Sequence, residues 1–158
     1  APGWVAVFSA GSLVWLAGMA QAASSPMAPT EADLKSAYCI PVLTLNKATL
    51  EVLEYDDPVL ERGRRNAIRS AELSIQRLER HLESRAKLVD QSSITSASGR
   101  GVADFKLMVA AARACSDQCV PSPTRNELEA ARCSVSCQAD KEPAVARASQ
   151  CSNLDWLP

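Results

Sequence analysis

The 158-residue chain is short of several things that chemistry usually needs. It has a single histidine, His81, set between Leu78 and Leu82 in a charged stretch. A Ser-His-Asp or Cys-His arrangement would have to use it, and no nucleophile elbow or matching motif accompanies it. His81 therefore reads as a surface residue. Beyond residue 30 the only glycines are Gly63, Gly99 and Gly101, and Gly99-Arg100-Gly101 lacks the spacing of a phosphate-cradling loop. No C-x-x-C occurs, which excludes a thioredoxin-type redox pair and a C-x-x-C-H haem attachment. Excess positive charge is missing too. With 17 Lys+Arg against 18 Asp+Glu, the chain cannot neutralise phosphates as a general nucleic-acid binder must. Carboxylates are plentiful but form no acid–base pattern. The expectation is a protein that is not an enzyme and needs no cofactor.

Charge is also absent from one region: no Asp, Glu, Lys or Arg precedes Glu31. Within that region Trp4 to Ala20 is an uncharged apolar run. As a helix it would extend roughly 26 Å, a little under a hydrocarbon core of ~30 Å. Two readings compete. Ala20-Gln21-Ala22 fits the small-residue cleavage site of a secretory signal peptide. Against it, the chain starts at Ala1 and no basic stretch precedes the apolar core, which favours a retained membrane anchor over residues 1–22. Ala6 and Ala10, with Gly11 and Gly18, offer small-residue surfaces for packing against other transmembrane helices. Trp4 suits the headgroup level, whereas Trp15 lies deeper. The flanking charges, Glu31, Asp33 and Lys35, do nothing to hold the C-terminal domain on the cytoplasmic-type side.

The remainder of the chain has helical patterning. Pro26 and Pro29 mark a linker over residues 23–30, and Thr30 with Asp33 resembles a capping box. Leu34, Tyr38, Val42, Leu45, Thr49 and Val52 recur at helical spacing, which predicts a helix to about residue 54, kinked near Pro41. Asp57-Pro58 is a restart signal, with Asp as N-cap and Pro at the first position. Leu60, Ile68, Ala71, Ile75, Leu78, Leu82 and Val89 trace one stripe along a long helix over roughly 58–91. Residues 92–101 (SSITSASGRG) read as a loop. Val102, Phe105, Val109 and Ala112 open the next helix, running to about Cys119. After Pro121-Ser122-Pro123, Thr124 with Glu127 suggests a second capping box, and Leu128, Ala131 and Val135 suggest a buried side. A short turn is expected near 143–151. No strand alternation or internal repeat is visible.

The long helix is rich in Arg. Arg62, Arg64, Arg65 and Arg69 are the candidate partner-binding residues, a docking face for an acidic partner or anionic headgroups. The competing reading is a solvated face with local pairs such as Glu61/Arg65. Glu51, Glu54, Asp56 and Asp57 lie just upstream to answer part of that charge.

Six cysteines in so short a chain point to an oxidising compartment or a metal. Cys115-x-x-x-Cys119 and Cys133-x-x-x-Cys137 put each pair on one helix face, with a proline-rich turn between them. If those helices fold back antiparallel, Cys119 meets Cys133 near the turn and Cys115 meets Cys137 one turn further on. Crossed pairs would lie beyond disulfide reach. Cys39 and Cys151 then pair by elimination. Zinc is the alternative, although structural zinc sites favour tighter knuckles.

The pattern over residues 115–137 resembles the twin C-x-x-x-C helical hairpins of small intermembrane-space chaperones and accessory subunits, and of plant α-hairpinin peptides. The resemblance implies two interhelix disulfides in the same order. It covers less than a sixth of the chain and carries no function with it.

Together these readings describe an all-α protein: a single N-terminal transmembrane helix, then a disulfide-stapled bundle of about four helices over residues 31–158, with the twin-cysteine hairpin at 102–140. The expected function is a structural accessory subunit of a respiratory or photosynthetic membrane complex. It would be single-pass, with integral membrane subunits and the lipid bilayer as partners. Its helical domain would lie in the thylakoid lumen, intermembrane space or periplasm. The alternative is a secreted or periplasmic helical binding or inhibitor protein with a signal peptide.

Overall fold

A computed structural model of the chain describes residues 24–158. Helix α1 spans Glu31–Glu51, α2 Pro58–Arg85, α3 Gln91–Ser116, α4 Glu127–Lys141 and α5 Pro143–Ala148, followed by a 3-10 turn, Ser149–Cys151. Each start is chemically marked. The Thr30 hydroxyl accepts from the Asp33 N–H at 3.2 Å, and Asp33 returns the bond to the Thr30 N–H at 2.8 Å. Asp57 accepts from the Val59 and Leu60 N–H groups ahead of α2, satisfying donors that a helix start leaves orphaned. The linker before α1 is pinned: Met27 donates to the Leu88 carbonyl and accepts from the Asp90 N–H.

Among the described residues no helix is long and apolar enough to cross a membrane. That finding corrects the expected fold class. The all-helical, disulfide-bonded part stands; the single transmembrane helix does not, and single-pass localisation is corrected with it. The physical reason is the spread of charge. Even α1 carries Glu31, Asp33, Lys35, Lys47 and Glu51 along its 21 residues. Trp4, Ala6, Ala10, Gly11, Trp15 and Gly18, on which the anchor was placed, lie outside the described residues, as does Ala20-Gln21-Ala22.

Helix α1 is the middle of the fold, packed on α2 along one side and on α3 along the other. Its first half is consequently buried almost all round, including Asp33, Ser36, Ala37, Tyr38 and Cys39. The stripe read from the sequence fades at its C-terminal end, where Thr49 and Val52 are exposed. The helix runs unbroken through Pro41. The main apolar cluster joins Tyr38, Cys39 and Val42 of α1 to Leu78 of α2 and to Cys151 and Leu154 of the C-terminal segment.

Residues 92–101 are helix, not loop. Asp90 caps α3, accepting from the Ser92 and Ser93 N–H groups, and the long helix ends at Arg85 instead of running to 91. Serine and glycine are weak helix formers, and that weakness suggested a loop. Packing overrides it. Ala97, Gly101, Asp104, Ala111 and Cys115 form a buried row at spacings of four, three, seven and four, the narrow seam along which helices pack. Gly101 lies where α3 crosses α1, and a Cβ there would collide with the Tyr38 carbonyl oxygen and press on the Pro41 ring. Gly99, two residues away, faces open space.

Gly101→Ala should therefore destabilise by about 1–3 kcal/mol through overpacking. Gly99→Ala should stabilise by roughly 0.5–1 kcal/mol through helix propensity. Urea unfolding of both variants checks this, and equal effects of one sign would refute the crossing.

Helix α4 is capped two residues later than expected. Asn126 and Glu129 form the capping box, while Thr124 donates its N–H to Ser122 within the preceding turn. Its buried residue is Ala130. Val135, placed on the buried side by sequence, is 68% exposed. The two cysteines of α4 turn its inner face towards α3, which leaves Leu128 and Ala131 half-buried and Val135 on the outside.

Candidate functional site

The cysteine constellation is the backbone of the functional region. Cys115–Cys137 and Cys119–Cys133 join α3 and its C-terminal extension to α4, and Cys39–Cys151 joins α1 to the C-terminal segment. The two α3–α4 pairs are those the helical spacing called for, and Cys39–Cys151 is the pair left by elimination. No cysteine is free, so none remains as a thiolate for zinc. Among the described residues no group of three or more His, Cys, Asp or Glu is placed to hold a metal ion.

The Arg cluster is divided by the fold. Arg64 is drawn inward: its guanidinium meets Glu61 at 2.8 Å and donates to the Leu50 carbonyl at 3.0 Å, tying the end of α1 to α2. Arg65 shares Glu61, also at 2.8 Å. Glu61 is held at about 2 by hydrogen bonds from Arg64 and Arg65. Arg62 and Arg69 are exposed on the same helix. The upstream acids answer less of this charge than expected. Glu51 pairs with Lys47 at 3.0 Å, and Asp57 commits its carboxylate to the cap of α2.

His81, read as a surface residue, is part of a buried charge cluster. Its Nε2 lies 2.8 Å from Asp33 Oδ1, and the Arg85 guanidinium reaches the same carboxylate at 3.2 Å. Asp33 is wholly buried. Burial alone would raise its pKa, but the Arg85 hydrogen bond, both bonds to Thr30 and the His81 bond outweigh it and hold Asp33 at about 2. In sequence Asp33 was legible only as half of a capping box. Nothing in its neighbourhood announces partners 48 and 52 residues away.

A second network floors a cleft between α1, α3 and α5. The Tyr38 hydroxyl donates to Asp104 Oδ2 at 2.7 Å, and Arg147 grips both Asp104 oxygens at 2.8 and 2.9 Å. Arg147 holds Asp104 below the usual carboxylate range against the opposing effect of burial, with Tyr38 assisting. Burial, then the Asp104 bond and charge, push the Tyr38 phenol up. The cleft encloses about 430 Å³, and Leu34, Lys35, Arg100 and Gln150 contribute to its walls. Sequence reasoning missed it because its residues come from three separate segments.

On another face, Leu60 of α2 and Leu128, Ala131 and Val135 of α4 line a shallow apolar groove of similar size, with Arg132 at its edge. This is the row predicted to be core. Val59, next to it in sequence, is 58% exposed.

Fold and sites together define a disulfide-bonded helical scaffold whose surface includes these two concavities. Compared with protein-family models, curated proteins and solved structures, the chain matches none.

Proposed function

We propose that the protein is a non-catalytic accessory subunit of a larger complex in an oxidising compartment, one whose other subunits include integral membrane proteins. The observation that carries this reading is the set of three disulfides, which tie α3 to α4 and α1 to the C-terminal segment and persist only where thiols are not kept reduced. Rigidity suits a part that bridges others, because little ordering entropy is lost on assembly. The groove of Leu60, Leu128 and Val135 supports the reading. It offers an apolar seat with Arg132 at the rim, complementary to an amphipathic helix with an acidic flank. Attachment is then made by the helical domain itself.

The test is co-purification of the oxidised, affinity-tagged chain in mild detergent from its native source. Defined large subunits should remain attached, and Val135→Asp, at an exposed position, should release them without lowering the melting temperature. A monomeric, unaccompanied protein would overturn the proposal.

The second reading, a free secreted or periplasmic helical binding protein, is favoured by one feature: the cleft between α1, α3 and α5, whose floor of Tyr38, Asp104 and Arg147 is set in advance by hydrogen bonds.

A further inference from the structure

Pairing the charges inside that cleft leaves one side chain over. Lys35 is paired with Glu31 at 2.6 Å and lies over the Trp156 ring. Arg147 is paired with both oxygens of Asp104. Arg100, one turn before Asp104 on α3, makes no ion pair among the described residues, although its charge is felt by Asp104, and its one hydrogen bond there is a long 3.4 Å approach to the Ser96 hydroxyl. Its guanidinium is an exposed cation with its donors largely unused, at a concavity whose other charged groups are already paired and which also has apolar surface. Leu34 and Ala103 supply that surface, with Tyr38, whose hydroxyl is already committed to Asp104.

We infer that this cleft binds a small amphiphile carrying a single carboxylate, with the carboxylate on Arg100 and the apolar body along Leu34, Tyr38 and Ala103. The planar guanidinium matches a carboxylate with two parallel N–H donors, and the Gln150 amide lines the same cleft. A cavity of about 430 Å³ lies at the lower end of the range of small-molecule sites. Polyanions such as nucleotide phosphates are disfavoured because Glu31 and Asp104 line the same space and only one cation is unmatched. The inference deepens the second functional reading and is independent of the groove on α2 and α4.

The test uses the full oxidised chain with octanoate and its uncharged counterpart octanamide as probes, followed by titration calorimetry and amide chemical shifts. Octanoate should bind and shift the amides of Leu34, Arg100 and Ala103. Octanamide should bind about tenfold more weakly or worse, the worth of a charge-assisted bond. Arg100→Gln should weaken octanoate by the same factor and leave octanamide unchanged. Because Arg100 is exposed, its melting curve should match that of the parent protein. Equal binding of both probes at these amides, unaffected by Arg100→Gln, would overturn the carboxylate assignment and leave the binding-protein reading standing. No shift at the cleft with either probe at millimolar concentration would overturn both.

Discussion

Replacing Cys39 and Cys151 together by alanine should lower the unfolding free energy by about 4–5 kcal/mol, against about 3 kcal/mol for the Cys119/Cys133 pair. The difference follows from loop length. Cys39–Cys151 closes 112 residues of chain and Cys119–Cys133 only 14, and a longer closed loop removes more freedom from the unfolded ensemble. Packing adds to the effect. Cys39 and Cys151 are both buried in the cluster with Tyr38, Val42, Leu78 and Leu154, so losing two sulfurs also leaves voids. The other ties between the C-terminal segment and this cluster are non-covalent, through Leu154, Trp156 and Leu157. Hydrogen exchange should therefore rise over residues 149–157 in the double variant while the α3–α4 hairpin keeps its protection. Urea unfolding supplies the energies, and a loss no greater than that of the short-loop pair would contradict this account.

Asp33→Ala should cost about 3–5 kcal/mol, because it leaves Arg85 facing a buried site with no counter-charge. Asp33→Asn should cost less, since an amide still accepts from the Thr30 N–H and keeps the cap. The same residue sets part of the acid sensitivity. Its folded-state pKa, about 2, lies below the ordinary aspartate value of 3.8. Its contribution is thus fully present above about pH 4 and is lost as pH falls through 2, some 2–3 kcal/mol in all. Glu61 and Asp90, each held at about 2 by local hydrogen bonds, titrate in the same window. The diagnostic measurement is therefore the difference between the parent protein and Asp33→Asn across pH 2–5. That difference should shrink steadily towards low pH, and a constant difference would show that Asp33 is not ionised in the fold.

Much of the fold was legible because local chemistry wrote it. Thr30 with Asp33, and Asp57 with Pro58, marked helix starts that the structure places at the same residues. The twin C-x-x-x-C spacing implied an antiparallel pair and its two staples. The failures share a cause. Residues 92–101 lack apolar bulk, so a periodicity built on Leu, Val and Ile passes over the row Ala97, Gly101 and Asp104. That row is visible once small residues are counted as contact positions, since a close crossing needs the absence of side chain. Val135 was assigned to the core from its apolar character, but rotation of α4 is set by where its cysteines must reach. His81 looked superficial because its only distinctive partner, Asp33, belongs to another helix.

By itself, the sequence determined the helical class, most of the helix starts and the order of the two α3–α4 disulfides, since each depends on residues near one another in the chain. It also determined that charge runs through every helix from α1 onward, and that denies the described chain a membrane-spanning segment. Tertiary structure alone decided the rest: which small residues became the α1–α3 crossing, that Asp33 would gather His81 and Arg85, and that Arg100 would stand unpaired at the edge of a cleft. Those outcomes join positions dozens of residues apart. Their energies arise from desolvation and close contact, and neither exists until the helices have packed.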